Sequence, residues 1–228
     1  MLHQLTDNVW VADTPNSFYG LQFGARMTIV RLGDGTLFMH SPIAIDETMK
    51  AEIDALGPVG HIVAPSLFHH VYAKPASELY PSAKVHLAPG LEKKRPDLRV
   101  DAILGASADP SWRGGELEAM PIDGTILNET AFVHHPSRTL LCSDLIENFE
   151  TSDHWFTRTY LKVNGVLGKP GLSRTLRLTF RDKRAGRKSI DAILEHPIDK
   201  IALAHGAPIL EGGQEVLRAS YTWLKPQS

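Results

Sequence analysis

Four histidines and two aspartates stand where metal chemistry would need them. Three apolar runs each end abruptly in a polar group: Ile62-Val63-Ala64 before His69 and His70, Thr139-Leu140-Leu141 before Asp144, and Ile201-Ala202-Leu203 before His205. A fourth run, Leu37-Phe38-Met39, ends at His40, and the segment Pro121-Ile122-Asp123-Gly124-Thr125 presents Asp123. Ligands in α/β proteins collect at strand ends, where loops converge. Imidazole nitrogen together with carboxylate oxygen suits zinc, iron or manganese. Such an ion acidifies a water and polarises a carbonyl or phosphoryl oxygen, which is hydrolytic chemistry.

The elements that would carry these residues show as patterns. Residues 7–13, 25–32 and 36–40 read as strands, the last two joined into a hairpin by Gly33-Asp34-Gly35. Ile45, Met49, Ile53 and Leu56 recur at three- and four-residue spacing and predict a helix over 46–56, ended by Gly57-Pro58. A strand at 60–64 leads into the histidine loop, a helical turn at 75–80 starts with Pro75, and 84–88 is a further strand. Beyond it, 117–121, 130–134, 139–143 and 199–204 read as strands, 187–196 and 211–224 as helices, and 145–168 as helical in part. Segment 90–116, polar and rich in Gly, Pro and Asp, reads as an exposed excursion. Strands and helices alternate in the α/β manner, and 228 residues without a sharp linker fit one domain over 1–228.

Composition narrows the function. Hydrophobic residues make up 43% and charged residues 22%, a mix that supports a full core. The net charge of −2 gives no overall pull towards nucleic acid, so a dedicated nucleic-acid binder is not expected. No stretch reaches the apolar length of a spanning helix, and the first residues lack the basic and apolar regions of a secretory signal. A single cysteine, Cys142, excludes an intramolecular disulfide framework and any multi-cysteine zinc motif. A cytoplasmic protein acting on a small-molecule substrate or ligand is the expectation.

The order hairpin, helix, strand with His-rich loop, strand, strand with Ser143-Asp144-Leu145, strand with His205-Gly206 resembles the metallo-β-lactamase superfamily over about Asn8 to Trp223. It is most similar to an uncharacterised branch, marked by Arg26-Met27-Thr28, by His40-Ser41-Pro42-Ile43 in place of Asp-Thr-Gly, and by Pro89-Gly90-Leu91. The resemblance implies an αββα sandwich, two mixed β-sheets packed face to face with helices outside. It also implies a reduced site. The superfamily's metal loop falls on Ala64 to His70, where Pro65 and Leu67 replace two histidines, His69 replaces an aspartate and His70 is kept. The ligands that remain are His69, His70, Asp144 and His205, enough for one divalent metal, zinc first, with iron or manganese as options. His69 would be a variable ligand or a base, while Asp123 and His40 would hold water or shuttle a proton.

Plainer readings compete. The protein could keep the fold, lose the metal and only bind a ligand, or use iron for thiol or oxygen chemistry. Ser143-Asp144-Leu145 could be a helix N-cap. His61, His86 and His196 read as hydrogen-bonded core residues, His134 and His135 as exposed turn residues, His154 as a lid or surface residue, and Cys142 as a buried strand residue. Eight Lys and Arg between 169 and 188 face the single Asp182, and positions 174, 177, 181, 184 and 188 would share one face of a helix. The aromatic and apolar run over 149–168 fits core packing, a lid over the pocket, a homodimer contact or an amphipathic surface segment for lipid.

Overall fold

The computed structural model describes residues 1–105, 112 and 115–224. Seven strands form the larger sheet: β1 (His3–Thr6), β2 (Val9–Thr14), β5 (Ala25–Arg31), β6 (Leu37–His40), β7 (Val59–Ala64), β8 (Lys84–Leu87) and β9 (Ala102–Ile103), neighbours in that order. β3 (Ser17–Phe18) and β4 (Leu21–Gln22) make a separate small hairpin between β2 and β5. The second sheet runs β10 (Leu117–Pro121), β11 (Thr130–His134), β12 (Thr139–Leu141) and β13 (Lys200–Ala202). Both sheets are mixed: β6, β7, β8 and β9 are parallel in one, and β12 and β13 in the other.

Alternation along each strand sorts side chains into three layers. On β5 and β6, Met27, Ile29, Leu37 and Met39 face outward to α1 (Glu47–Leu56), α2 (Ala73–Leu79) and α3 (Leu91–Lys94). Val30 and Phe38 face inward and meet Leu117, Phe132, Leu141 and Ala202 of the second sheet. Phe38 packs against Phe132 and Trp112 with ring centroids 5.0 and 5.2 Å apart, edge to face. Such pairs add about 0.5–1.5 kcal/mol beyond area burial and fix the spacing of the two sheets. The outer face of the second sheet, with Val133, Leu140 and Ile201, is covered by α6 (Lys183–Leu194) and α7 (Gly213–Ser220). The result is the expected α/β sandwich of two mixed sheets with helices outside.

Local signals explain most boundaries. Asp46 caps α1 by accepting from the Met49 N–H at 2.7 Å, and Met49 and Ile53 are its buried stripe. The Asp34-Gly35 turn joins β5 to β6, with the Thr36 N–H donating to Asp34 Oδ1. Two expectations need correction. Residues 174–188 are not one helix: α5 (Arg174–Arg177) stops, and α6 begins afresh after Asp182, whose carboxylate accepts from the Arg184 and Ala185 N–H groups. Phe180 is drawn into the core between them, and the Arg181 and Asp182 N–H groups both donate to Gly124 O. The five cations therefore do not share a face. Segment 90–116 is also no simple excursion, since it supplies α3, β9 and buried Leu98, Leu104 and Trp112, while 106–111 and 113–114 lie outside the described residues.

Candidate metal centre

Three loops at one end of the two sheets bring His69, Asp144 and His205 together, with ligand atoms within 4.8 Å of one another. His69 follows β7. Its loop is tied down by Ser66, whose hydroxyl accepts from the Phe68 and His69 N–H groups at 3.2 and 3.1 Å. The Leu67 N–H donates to Leu127 O, and the Thr130 N–H donates to Pro65 O, so the loop is stitched to the approach to β11. Asp144 follows β12 and His205 follows β13, the parallel pair of the second sheet. Gly206 turns the chain at φ +90, where a β-carbon would fall far inside contact with Asn148 O. Arg26 is buried and donates from Nη1 to Leu203 O and Gly206 O at 3.0 and 2.6 Å. Its Nη2 pairs with Asp13 at 2.9 Å.

Each imidazole is oriented by a second partner. His205 Nδ1–H donates to Gly24 O at 2.9 Å, which leaves the Nε2 lone pair facing the group. His69 Nδ1 meets Ser41 Oγ at 2.9 Å. Ser41 is buried, sits at φ +53, and donates its N–H to Val63 O. The three converging atoms are His69 Nε2, His205 Nε2 and Asp144 Oδ1, separated by 3.2 Å between the rings, 3.5 Å from His69 to Asp144 and 3.6 Å from His205 to Asp144. With His205 in this tautomer, the group presents acceptors to a common centre and needs a proton or a cation among them.

The electrostatics agree. Burial pushes His69 down, but the adjacent Asp144 carboxylate outweighs it and the ring's pKa is raised. Burial would raise Asp144, yet His69 and then His205 bring it below the usual carboxylate range. His205 is pushed down to about 4, first by burial and then by His69, so it stays neutral as a ligand must.

The other expected site residues stand elsewhere. His70 does not join the group: its Nδ1 accepts from Arg95 Nη1 at 3.0 Å, and burial, Lys94 and Arg95 push it down to about 4. In that tautomer its Nε2 carries the proton and offers no lone pair. Asp123 is exposed and lies against α6, its backbone N–H donating to Ser189 Oγ. His40 is buried with Nε2 lacking a hydrogen-bond partner, and burial, then His69, push it down to about 3. Its ring is neutral and packs at 5.8 Å against Phe132, and its neighbour Ser41 makes the contact to His69. Asp144 caps no helix.

The sequence gives little sign of Glu129. Its carboxylate is buried and accepts from the Ser143 and Asp144 N–H groups at 2.6 and 3.0 Å, holding the Asp144 turn. Burial, with Asp144 nearby, pushes it up to about 7. The pattern Asn128-Glu129-Thr130 at the mouth of an apolar strand is the only hint. Buried Glu147, also pushed up to about 7 by burial, accepts from the Ser173 N–H at 3.1 Å.

Histidines outside the site divide as follows. His61 and His86 pair between the sheets at 3.0 Å, and His154 caps α4 (Trp155–Asn164), as the turn to Thr157 requires. His134 is buried against Ser137 Oγ, contrary to the exposed turn expected of it, because its strand position points between the sheets. Cys142 is buried, as expected of a strand-end residue, and burial raises its thiol well above the ordinary value.

This architecture is the metallo-β-lactamase fold. A metallo-β-lactamase from Pontibacter korlensis superposes with a TM-score of 0.66 at 12% identity, covering 100% of this chain and 99% of that one. One from Erythrobacter litoralis, solved with β-mercaptoethanol in the active site, gives 0.68 at 14% identity over 98% and 95%. One from Hirschia baltica gives 0.63 at 12% identity over 100% and 99%. Residues 6–91 match a domain of unknown function, DUF4336, a span that holds His69 but ends before Asp144 and His205. No curated protein matches the sequence. Among the described residues no helix is long and apolar enough to cross a membrane.

Proposed function

We propose that this protein is a metal-dependent hydrolase with a mononuclear centre of His69, Asp144 and His205. The supporting observation is the set of three ligand separations, 3.2, 3.5 and 3.6 Å. Ligands about 2.0–2.1 Å from zinc at tetrahedral angles lie about 3.3 Å apart, whereas octahedral angles would set them about 2.9 Å apart. The three atoms thus trace one face of a tetrahedron, and the fourth corner is left for water or substrate. A bound ion there supplies Lewis acidity and a water acidified towards a pKa of ~7. The residues of this chain do the rest. Ser41 and Gly24 O orient the two rings, Glu129 holds the Asp144 turn, and neutral His205 keeps its lone pair inward. Pro65 and Leu67 offer no donors, which supports one ion and not two.

Exposed aromatic residues suggest the substrate class. Phe18 and Tyr19 of the β3–β4 hairpin, Phe68 beside His69, and Trp155 and Phe156 of α4 are all exposed. Phe18 and Phe68 are 6.3 Å apart, and the Gln22 N–H donates to Thr157 Oγ1, joining the hairpin to α4. An open cavity of about 500 Å³ beside Gly24 is lined by Pro15, Asn16, Ser17 and Gln22. This rim favours an ester, thioester, amide or phosphoester with an apolar or aryl portion.

Two histidines with one carboxylate also suit iron, and that donor set favours thiol or oxygen chemistry as the second reading. Elemental analysis of wild type and folded His205→Ala, both purified without added metal or chelator, tests both. About one equivalent of zinc more in the wild type than in the variant, with aryl-ester hydrolysis that vanishes in the variant, supports the hydrolase. One equivalent of iron supports the second reading. Equal metal content in the two proteins after soaking with zinc and iron sinks both.

A further inference from the structure

A second group of ligating side chains lies at the opposite end of the second sheet. β11 starts beside Glu129 at the candidate centre and ends at His134, and β12 runs back from Thr139 towards Asp144. At the far end three elements converge: β10 presents Glu118, the turn from β11 to β12 presents His135, and the chain after α6 presents His196. Glu118 Oε2 lies 3.0 Å from His135 Nε2 and 3.9 Å from His196 Nε2. The two rings stand edge to face with centroids 5.3 Å apart. Both Nε2 atoms therefore turn towards one carboxylate oxygen.

We propose that Glu118, His135 and His196 form a second metal site, for zinc or a similar borderline divalent ion. Three features carry it. The donors are two imidazoles and one carboxylate, the set that late first-row ions prefer, and all three ligand atoms lie within 4.8 Å. Among the described residues Glu118 has no Lys or Arg within ion-pair distance, so an ion would replace only its contacts to the two rings, the His135 Nε2 proton passing to Nδ1 or to solvent. The side chains are 49, 32 and 23% exposed, open enough for an ion to enter and keep water in its remaining positions. An ion there would tie the β11–β12 turn to the segment between α6 and β13, far in sequence from β10, and would brace the sheet end remote from the candidate centre. The site is independent of the function proposed above, since it shares no residue with that centre.

Calorimetric titration of metal-free, untagged protein with zinc tests this on wild type, His196→Ala, Glu118→Gln and His205→Ala, each checked for folding by circular dichroism. Wild type should take up one equivalent more than His196→Ala. That equivalent should weaken at least about tenfold in Glu118→Gln, whose amide is a poorer ligand with nearly the same shape, and persist in His205→Ala. Identical isotherms for wild type, His196→Ala and Glu118→Gln would overturn the site. So would loss of the equivalent in His205→Ala with retention in His196→Ala. If the candidate centre binds nothing, His205→Ala matches wild type while His196→Ala still loses its equivalent, so the two sites are judged separately.

Discussion

Ser41 sets the orientation of His69, and two substitutions there separate orientation from strain. Its hydroxyl lies 2.9 Å from His69 Nδ1, and its backbone sits at φ +53. A supporting hydrogen bond on a metal-binding imidazole typically changes affinity by about 10–100-fold, or about 1.4–2.8 kcal/mol. A non-glycine residue in the left-handed region costs roughly 1–2 kcal/mol, while glycine escapes that cost but loses about 0.5–1 kcal/mol in chain entropy. Ser41→Ala removes the hydroxyl and keeps the strain. Ser41→Gly removes both. Zinc affinity, measured by competition with a chromophoric chelator, should fall about 10–100-fold in the two variants alike. Urea unfolding of the metal-free proteins should leave Ser41→Gly more stable than Ser41→Ala by about 1 kcal/mol. Unchanged affinity in both would refute the orienting role. Affinity that tracks stability, with Ser41→Gly near wild type, would show that backbone strain and not the hydroxyl governs the site.

Four further outcomes follow from the same geometry. Glu129→Leu orphans the buried N–H groups of Ser143 and Asp144, at about 1–3 kcal/mol each, so urea unfolding should show a loss of roughly 2–6 kcal/mol; a loss below about 0.5 would remove Glu129 from this role. Gly206→Ala adds a β-carbon against Asn148 O at φ +90, and should lower the melting temperature and zinc affinity together, because His205 is adjacent. His70→Ala should leave the zinc stoichiometry unchanged, since His70 turns to Arg95; loss of an equivalent from folded protein would restore His70 to the ligand set. Glu147 is a carboxyl raised from 4.5 to about 7, so its stabilising share is full below about pH 4.5 and is lost as pH rises through 7. Glu147→Gln should therefore gain little at pH 4.5 and on the order of 2–3 kcal/mol at pH 8, read from melts at the two pH values; a pH-independent difference would contradict it.

Residues that act through periodicity or through their own side chains were legible. The Asp34-Gly35 hairpin, the helix stripe Met49–Ile53 and the strand ends carrying His69, Asp144 and His205 all follow from local pattern. Residues that act through backbone groups far away in sequence were not. Glu129 works by accepting two N–H groups from a turn 14 and 15 residues on, and its local pattern says nothing of that partner. Gly24 contributes only a carbonyl to His205, 181 residues away. His134, read as exposed but buried, and His70, which turns to Arg95, show a related limit. Each belongs to a histidine pair, and which member of the pair faces a site depends on loop geometry that the pair itself does not encode.

In the loop from Pro65 to His70, backbone hydrogen bonds hold the two positions where the superfamily resemblance would expect histidines. Thr130 N–H now donates to Pro65 O and Leu67 N–H to Leu127 O, and the Leu67 side chain packs against the outer core of the larger sheet. A histidine at either position would have to aim a ring inward from a backbone already pinned to the β11 approach. Introducing Pro65→His and Leu67→His together should therefore not create a second ion beside the first: Leu67→His exchanges a packed apolar side chain for a polar one, at about 1–3 kcal/mol, before any ligand geometry is gained. Zinc stoichiometry at the candidate centre should stay at that of wild type, with lower stability. One additional equivalent, lost again on His69→Ala, would mean that the loop keeps the freedom to bind and that its hydrogen bonds to 127 and 130 do not decide the nuclearity.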